Sequence, residues 1–237
     1  MLKKGNSKLG PGVYTWSIPS GLKEICVGAS ELCLLLCYAM RGHFRHRNTK
    51  ESHRKNYEKS LQKDFVATMV AAIRYLLASV VRIHVGGDFY SAEYVNKWIS
   101  IAKRNSNVTF YAYTRSWRDP DILEALKEFS QLPNVYLWFS TDKETGAAPK
   151  VKGVRTCYLQ LDYSDMPKWS IDLVFREDTR AVVKWIKNSL VCPAENGITN
   201  VSCTRCKLCF TNKKIPKRKK NARSSIRSSV SDIMQNV

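Results

Sequence analysis

Six short runs rich in β-branched and aromatic residues recur along the chain, and this recurrence restricts the fold more than any other feature. They are VYTWSI (13–18), VVRIHV (80–85), VTFYAYT (108–114), VYLWFS (135–140), TCYLQL (156–161) and SIDLVF (170–175). Each has the length and composition of a strand. Segments of helical period lie between several of them. One carries Leu61, Phe65, Met69, Ala72, Ile73 and Leu76 on a single face; a second follows Ser91 and turns Val95, Trp98, Ile99 and Ala102 inward. A third opens at Asp119-Pro120, a capping acid with proline at the first helical position, and carries Leu123, Leu126 and Phe129. A fourth starts near Asp178 and would bury Val182, Val183, Trp185 and Ile186. Strands alternating with helices predict βαβ units and an α/β fold with a parallel sheet, either open and doubly wound or curled into a barrel. Six strands would make a partial barrel. Both architectures build their sites at the carboxyl ends of the strands. Polar residues collect there: Asp88, then Thr114 and Arg115, Thr141 and Asp142, Asp162, and Arg176 with Glu177. Any one of them is explained as a loop or cap residue, but together they mark a side.

The chain is long enough, at 237 residues, for one α/β domain with residues to spare. We expect a main domain over residues 1–190, a Cys-rich appendage over 191–212 and a basic, disordered tail over 213–237. No apolar run approaches the roughly 18 residues of a membrane span, and MLKKGNSKLGPG has no apolar region behind its lysines. The expectation is a cytoplasmic protein with no membrane partner. Structural disulfides are uncommon in that reducing compartment, so the eight cysteines call for another explanation.

Seven of the cysteines form two tight groups, Cys26, Cys33 and Cys37 and then Cys192, Cys203, Cys206 and Cys209; Cys157 stands alone. Grouping favours metal over scattered core thiols. Cys203-x2-Cys206-x2-Cys209 puts three thiolates on a tight loop, as a [4Fe-4S] cluster requires, and Cys192-Pro193 is placed to supply a fourth. Zinc also accepts four cysteines, usually as two separated pairs, and stays open as the alternative. The first group offers three thiols. Three ligands leave one iron of a cubane free to bind something else, whereas four close the site. The competing explanation is a buried helix, since Leu32, Leu34, Leu35 and Leu36 surround Cys33 and Cys37, and cysteine serves there as a small hydrophobe.

These residues carry a resemblance. A three-Cys loop after a first strand, an aromatic directly after the third Cys (Cys37-Tyr38) and a second strand ending in Gly86-Gly87-Asp88 resemble the opening of the radical S-adenosylmethionine (SAM) superfamily. The spacing here is C-x6-C-x3-C rather than that superfamily's C-x3-C-x2-C, and Asp88 stands where it has Glu. The whole chain resembles more closely the phage gene product 88-like family, through GNSKLGPGVYTWSIPSG, the C-x6-C-x3-CYA segment, GDFYS, YTRSW and the Cys-rich end. The resemblance implies a six-stranded parallel partial (β/α)6 barrel of radical SAM type with a Cys-rich C-terminal appendage. It implies a cluster on Cys26, Cys33 and Cys37, with Gly86, Gly87 and Asp88 meeting the SAM amino group and Arg115 its carboxylate. The second cluster would be a relay or a clamp, and an enzyme of this kind needs a reductant. If phage-encoded, the protein would work in the host cytoplasm.

The net charge of +19 points to a polyanion partner, DNA or RNA. Two basic segments would carry it, 41–59 and 213–227, the latter inside a stretch from Cys203 onward with ten Lys or Arg against the single acid Asp232. Tyr111, Tyr113 and Trp117 offer stacking surfaces for bases or, alternatively, sheet packing. His84 reads as a core residue, whereas His43, His46 and His53 fall in the basic segment. Two functions follow: an iron–sulfur enzyme of radical SAM type modifying a nucleic acid or nucleotide, or a noncatalytic nucleic-acid-binding protein whose zinc or iron–sulfur sites hold the fold. No P-loop, H-E-x-x-H or G-x-S-x-G is present, which leaves the common hydrolase classes without support.

Overall fold

The computed structural model describes residues 1–162, 164–177, 190–193 and 201–212. The expected helix from Asp178 and the basic tail lie outside the described residues. Eight strands form one sheet in the order of the sequence: β1 (Lys3–Lys4), β2 (Val13–Trp16), β3 (Val80–Ile83), β4 (Thr109–Thr114), β5 (Val135–Thr141), β6 (Arg155–Gln160), β7 (Leu173–Arg176) and β8 (Leu190–Val191). The six expected strands are β2 to β7, in consecutive positions. β1 pairs antiparallel with β2, and every other pairing is parallel, with Trp16 beside Ile83, Ile83 beside Ala112 and Thr114 beside Phe139. A doubly wound sheet reverses its strand order at a switch point. This sheet has no reversal, which removes that alternative.

Because side chains alternate along a strand, each strand feeds two cores. Trp16, Val81, Ile83, Phe110, Ala112, Leu137 and Phe139 pack with α3 (Phe65–Tyr75), α4 (Ala92–Lys103) and α5 (Pro120–Ser130). The other face carries Tyr111, Tyr113, Tyr136 and Trp138 of β4 and β5. It is covered by the Cys-rich end of the chain, through Leu208 and Phe210. Of the two readings of Tyr111, Tyr113 and Trp117, stacking surface or sheet packing, the structure shows packing: Tyr111 lies against the ring of Phe210, Tyr113 against Trp138, and Trp117 is buried, donating from its indole to the Ser140 carbonyl at 3.0 Å.

The helix boundaries follow local chemistry. Ser91 caps α4 by accepting from the Tyr94 amide, and Asp119 caps α5 by accepting from the Ile122 amide, with Pro120 first in the helix. Val95, Trp98, Ile99 and Ala102 are buried as expected. The segment read as one helix from Leu61 divides. Leu61 closes a separate helix, α2 (Arg47–Leu61), and is exposed, and α3 begins at Phe65. A four-residue step from 61 to 65 keeps the period across the break, so periodicity alone does not reveal it. No described helix is long and apolar enough to cross a membrane.

Candidate functional site

The connection from β2 to α2 crosses the carboxyl ends of the parallel strands and carries the first three thiols. A short helix, α1 (Glu31–Leu35), holds Cys33; its cap is Ser30, whose hydroxyl accepts from the Cys33 amide at 3.0 Å. Four attachments fix this loop to the strand ends. Ser30 donates to the Asp142 carboxylate at 2.7 Å, and the Leu32 amide donates to Glu144 at 2.9 Å. The Arg118 guanidinium donates to the carbonyls of Gly28 and Ala29. At Gly28 the loop lies so close to β4 that a Cβ would come within 1.9 Å of the Arg115 carbonyl oxygen, so no larger residue fits without moving backbone.

These contacts bring the three thiols into one another's electrostatic field. Cys26 is pushed up to about 12 by burial, with Asp88, Cys33 and Cys37 adding to the rise. Burial also raises the Cys33 thiol, while Arg115 opposes the shift. Beneath them lies a buried ion pair, Arg115 Nη2 to Asp142 Oδ2 at 3.2 Å. Asp142 is held below the ordinary carboxylate range despite burial, because Ser30, Arg115 and the amides of Thr145 and Glu144 all favour its charge. Asp88 goes the other way: burial raises it, although Thr114 and the amides of Arg115 and Phe89 favour the anion. Arg115 Nε is buried without a partner.

The Gly-Gly-Asp segment sits at the end of β3 beside these thiols. Gly86 and Gly87 donate their amides to Ser17 and Ser20 at 3.3 and 2.7 Å. Gly87 adopts φ +84°, and a Cβ there would fall 2.3 Å from Ile18. The glycines thus bind β3 to the end of β2, and Asp88 ties β3 to β4. His84, just upstream, is buried at φ +61°, bonds Tyr94 through Nε2 at 3.0 Å and is pushed down to about 3 by burial, so it stays neutral. His53 is lowered to about 4 by burial and by nearby cations, and His43 stacks on His46.

The second thiol group is built into the opposite face of the sheet. Cys192, Cys203, Cys206 and Cys209 line one small cavity with Leu173 and Leu208. Cys203 and Cys206 belong to α6 (Cys203–Cys206), and Cys209 to the following turn. Lys207 at φ +58° turns the chain back between them. Trp138 donates its indole to the Cys209 carbonyl at 2.9 Å, and Arg155 donates to the Leu208 carbonyl at 2.8 Å while lying 4.0 Å over the Trp138 ring. Burial raises Cys203, and it pushes Cys209 up to about 12. Cys157 belongs to neither group. It is buried beside Ser140 Oγ at 3.3 Å and pushed up to about 11.

Among the described residues no three or more His, Cys, Asp or Glu side chains are gathered as a single metal ion needs. Sequence reasoning missed the fastening residues Ser30, Arg118 and Glu144. It noted Asp142 only as one polar residue among several at the strand ends. The one local signal was Ser30 three residues before Cys33, the spacing of an N-cap.

The basic segment 41–59 forms most of α2, whose Arg54 pairs with Glu51 and Glu58 on its own helix. Part of its charge is thus spent internally, in exposed pairs that stabilise little.

A family model described as Gene product 88 matches residues 1–212. The Gene 88 protein of Mycobacterium phage D29 is 26% identical over 234 residues, covering 90% of this chain and 88% of that one. The Gene 88 protein of Mycobacterium phage L5 is 25% identical over 232 residues, with the same coverage. No solved structure matches the chain.

Proposed function

The chain belongs to the gene product 88 family, and from that premise and the placing of its thiols we propose that it is an iron–sulfur enzyme of radical SAM type, with a partial-barrel sheet, acting on a nucleic acid or nucleotide in the host cytoplasm. One observation carries the reading: the loop of Cys26, Cys33 and Cys37 is fastened across the carboxyl ends of the parallel strands, through Ser30 to Asp142 and Arg118 to the carbonyls of Gly28 and Ala29, where such folds build their sites. Cys26, Cys33 and Cys37 would hold a [4Fe-4S] cluster, which would supply the electron for reductive cleavage of SAM. This chain's own residues position and shield. Asp142 and Arg118 hold the loop, Arg115 sets a fixed positive charge beside Cys33, and Asp88 offers the lone pairs its amide partners leave unused to an ammonium group. Cys192, Cys203, Cys206 and Cys209 would hold a second, closed cluster.

A second reading rests on the Gly-Gly-Asp segment, whose amides and carboxylate are already engaged with Ser17, Ser20 and the backbone of β4. That pattern also suits a noncatalytic nucleic-acid-binding protein whose metal sites only hold the fold. Strictly anaerobic purification with iron, sulfide and zinc quantification separates the two when repeated with Cys33→Ala and Cys203→Ala. The enzyme reading expects about eight irons, falling to about four in each variant, and reductant-dependent formation of 5′-deoxyadenosine from SAM. Zinc without iron would sink it and leave the binding protein.

A further inference from the structure

One cation on the inner face of the sheet has no carboxylate to balance it. Val81 and Ile83 of β3 pack with the helices, so alternation along the strand turns Arg82 to the opposite face. There it stands beside Tyr111 of β4 in the sheet register, with its guanidinium carbon 5.6 Å from the centre of the Tyr113 ring. Its side chain is partly buried, with Nε enclosed and without a partner, and among the described residues no Asp or Glu pairs with it. Tyr111 and Tyr113 in turn pack with Cys203, Cys209 and Phe210. The cation therefore lies against the same cluster of side chains that carries the second thiol group.

Burial works against this charge, and the groups that favour it are Tyr38, Tyr111, Tyr113 and Cys203. A phenol is neutral near pH 7, so the tyrosines offer dipoles and ring faces but no countercharge. A cation over a ring recovers less than the cost of enclosing an unpaired ion. The second thiol group needs what Arg82 supplies. Four thiolates around zinc, or around the iron–sulfur core of a cubane, carry a net charge of about −2, and a bound metal keeps its thiols deprotonated. Enclosing such a charge is costly without a cation nearby. We propose that Arg82 is the countercharge of the second thiol group, a positioning residue that holds an anionic four-thiolate centre on the inner face of the sheet. The guanidinium already opposes the effect of burial at both Cys203 and Cys209. This inference rests on the reading that Cys192, Cys203, Cys206 and Cys209 hold a metal, and it applies to zinc and to iron–sulfur alike.

The test reads metal retention in the full chain, purified anaerobically with Cys33→Ala so that only the second group contributes. Iron and zinc per chain are followed against increasing EDTA in this parent, in Arg82→Met, in Arg82→Lys and in Lys8→Gln, which removes an exposed cation that also acts on Cys203. Outer-shell partners of a metal site are typically worth 10- to 100-fold in affinity, so Arg82→Met should lower the apparent affinity by about that factor. Arg82→Lys keeps the charge and should keep most of the affinity. Lys8→Gln should change it by no more than about threefold, because solvent screens an exposed charge. With the metal stripped the sign reverses: Arg82→Met should melt no lower than the parent, since it removes an enclosed charge that has lost its counterion. Where iron is the metal retained, the midpoint potential should fall in Arg82→Met, because the lost cation favoured the more negative, reduced state. A packing role expects parental affinity and equal drops in melting temperature with and without metal. That result, or a Lys8→Gln loss equal to that of Arg82→Met, overturns the proposal and leaves the metal reading intact. If the parent holds no metal, or Cys203→Ala in the same background loses none, the metal reading itself has failed and the proposal falls with it. Should Arg82→Met fail to fold, Arg82→Gln carries the same comparison.

Discussion

The thiols of residues 26–37 ride on a loop that hydrogen bonds fasten from outside, whereas those of residues 192–209 are folded into a core. The first loop depends on a few polar contacts: Ser30 to Asp142, Leu32 to Glu144, and Arg118 to two carbonyls. The second group shares its surroundings with Trp138, Leu173, Leu208 and Phe210. A loop held by polar contacts can open or rearrange around a ligand without disturbing the sheet, as a reactive site requires. The second group, with Cys192 buried and Cys203, Cys206 and Cys209 partly buried against the core, cannot move without uncovering it. Under the proposed reading, the difference would separate a site that acts from a site that holds, even though both use the same chemical group.

The sharpest way to break this comparison is to remove one thiol from each side. If the second thiol group holds a metal as proposed, Cys209→Ala removes it, and the substitution also disturbs the turn that Trp138 and Arg155 grip. Apparent binding energies of structural metals reach about 10 kcal/mol or more. Losing even half of that would lower the melting temperature by on the order of 10 to 20 °C in a chain of this size. Cys33→Ala should remove as much iron but lower the melting temperature by less than about 4 °C, since the loop contributes little to either core. Calorimetry on anaerobic samples decides the matter, and equal shifts would end the distinction.

Next in size is the ion pair under the loop. Asp142→Ala leaves Arg115 buried without its partner, a change that costs about 3 to 5 kcal/mol. Asp142→Asn should cost less by keeping the bond from Ser30. The pH dependence has a definite sign. The Asp142 carboxyl is lowered in the folded chain, so its contribution is present above the unfolded value of about 3.9 and is lost as pH falls through the folded value. The wild-type chain should therefore weaken with acid more steeply than Asp142→Asn. Parallel acid titrations of the two would refute the assignment.

Much of the frame was readable from the sequence, for a physical reason. Alternating composition and helical period are local, and the caps Ser91 and Asp119 announce the starts of α4 and α5 by residue type alone. The two groups of cysteines were equally plain, because spacing needs no third dimension. What stayed hidden depends on contacts between distant segments. Nothing local to Asp142 says that Ser30, 112 positions away, donates to it. Nothing in the Cys-rich end announces that Leu208 and Phe210 cover the face of the sheet opposite the helices. Tyr111 and Tyr113 could be read either as stacking surfaces or as sheet packing, because strand composition does not reveal which face a later segment will cover.

Gly28→Ala tests the seating of the loop more gently. The added methyl would overlap the Arg115 carbonyl, and relieving such overpacking costs about 1 to 3 kcal/mol. The loop is the softer partner and should give way, so iron should fall at the first site while the second site keeps its own. Mössbauer spectra of samples lacking Cys203 would show the first site by itself. A variant with wild-type iron there would mean that the loop tolerates more freedom than its contacts suggest.

The smallest expected effect concerns the cysteine that belongs to neither group. Cys157 lies in β6 on the inner face, near Ser140 and within the influence of Arg115 on one side, while Tyr113 beside it reaches Cys209 on the other. That position between the two thiol groups makes it the natural place for a spare ligand to either of them. Its surroundings argue for packing instead: it is buried among Trp138 and Leu173 and is held protonated by burial. Cys157→Ala should therefore cost about 1 kcal/mol, as a typical single substitution does, and leave iron and sulfide content unchanged. A loss of about four irons would make Cys157 a ligand, and the separation of a reactive loop from a closed clamp would have to give way to two sites bridged through the sheet.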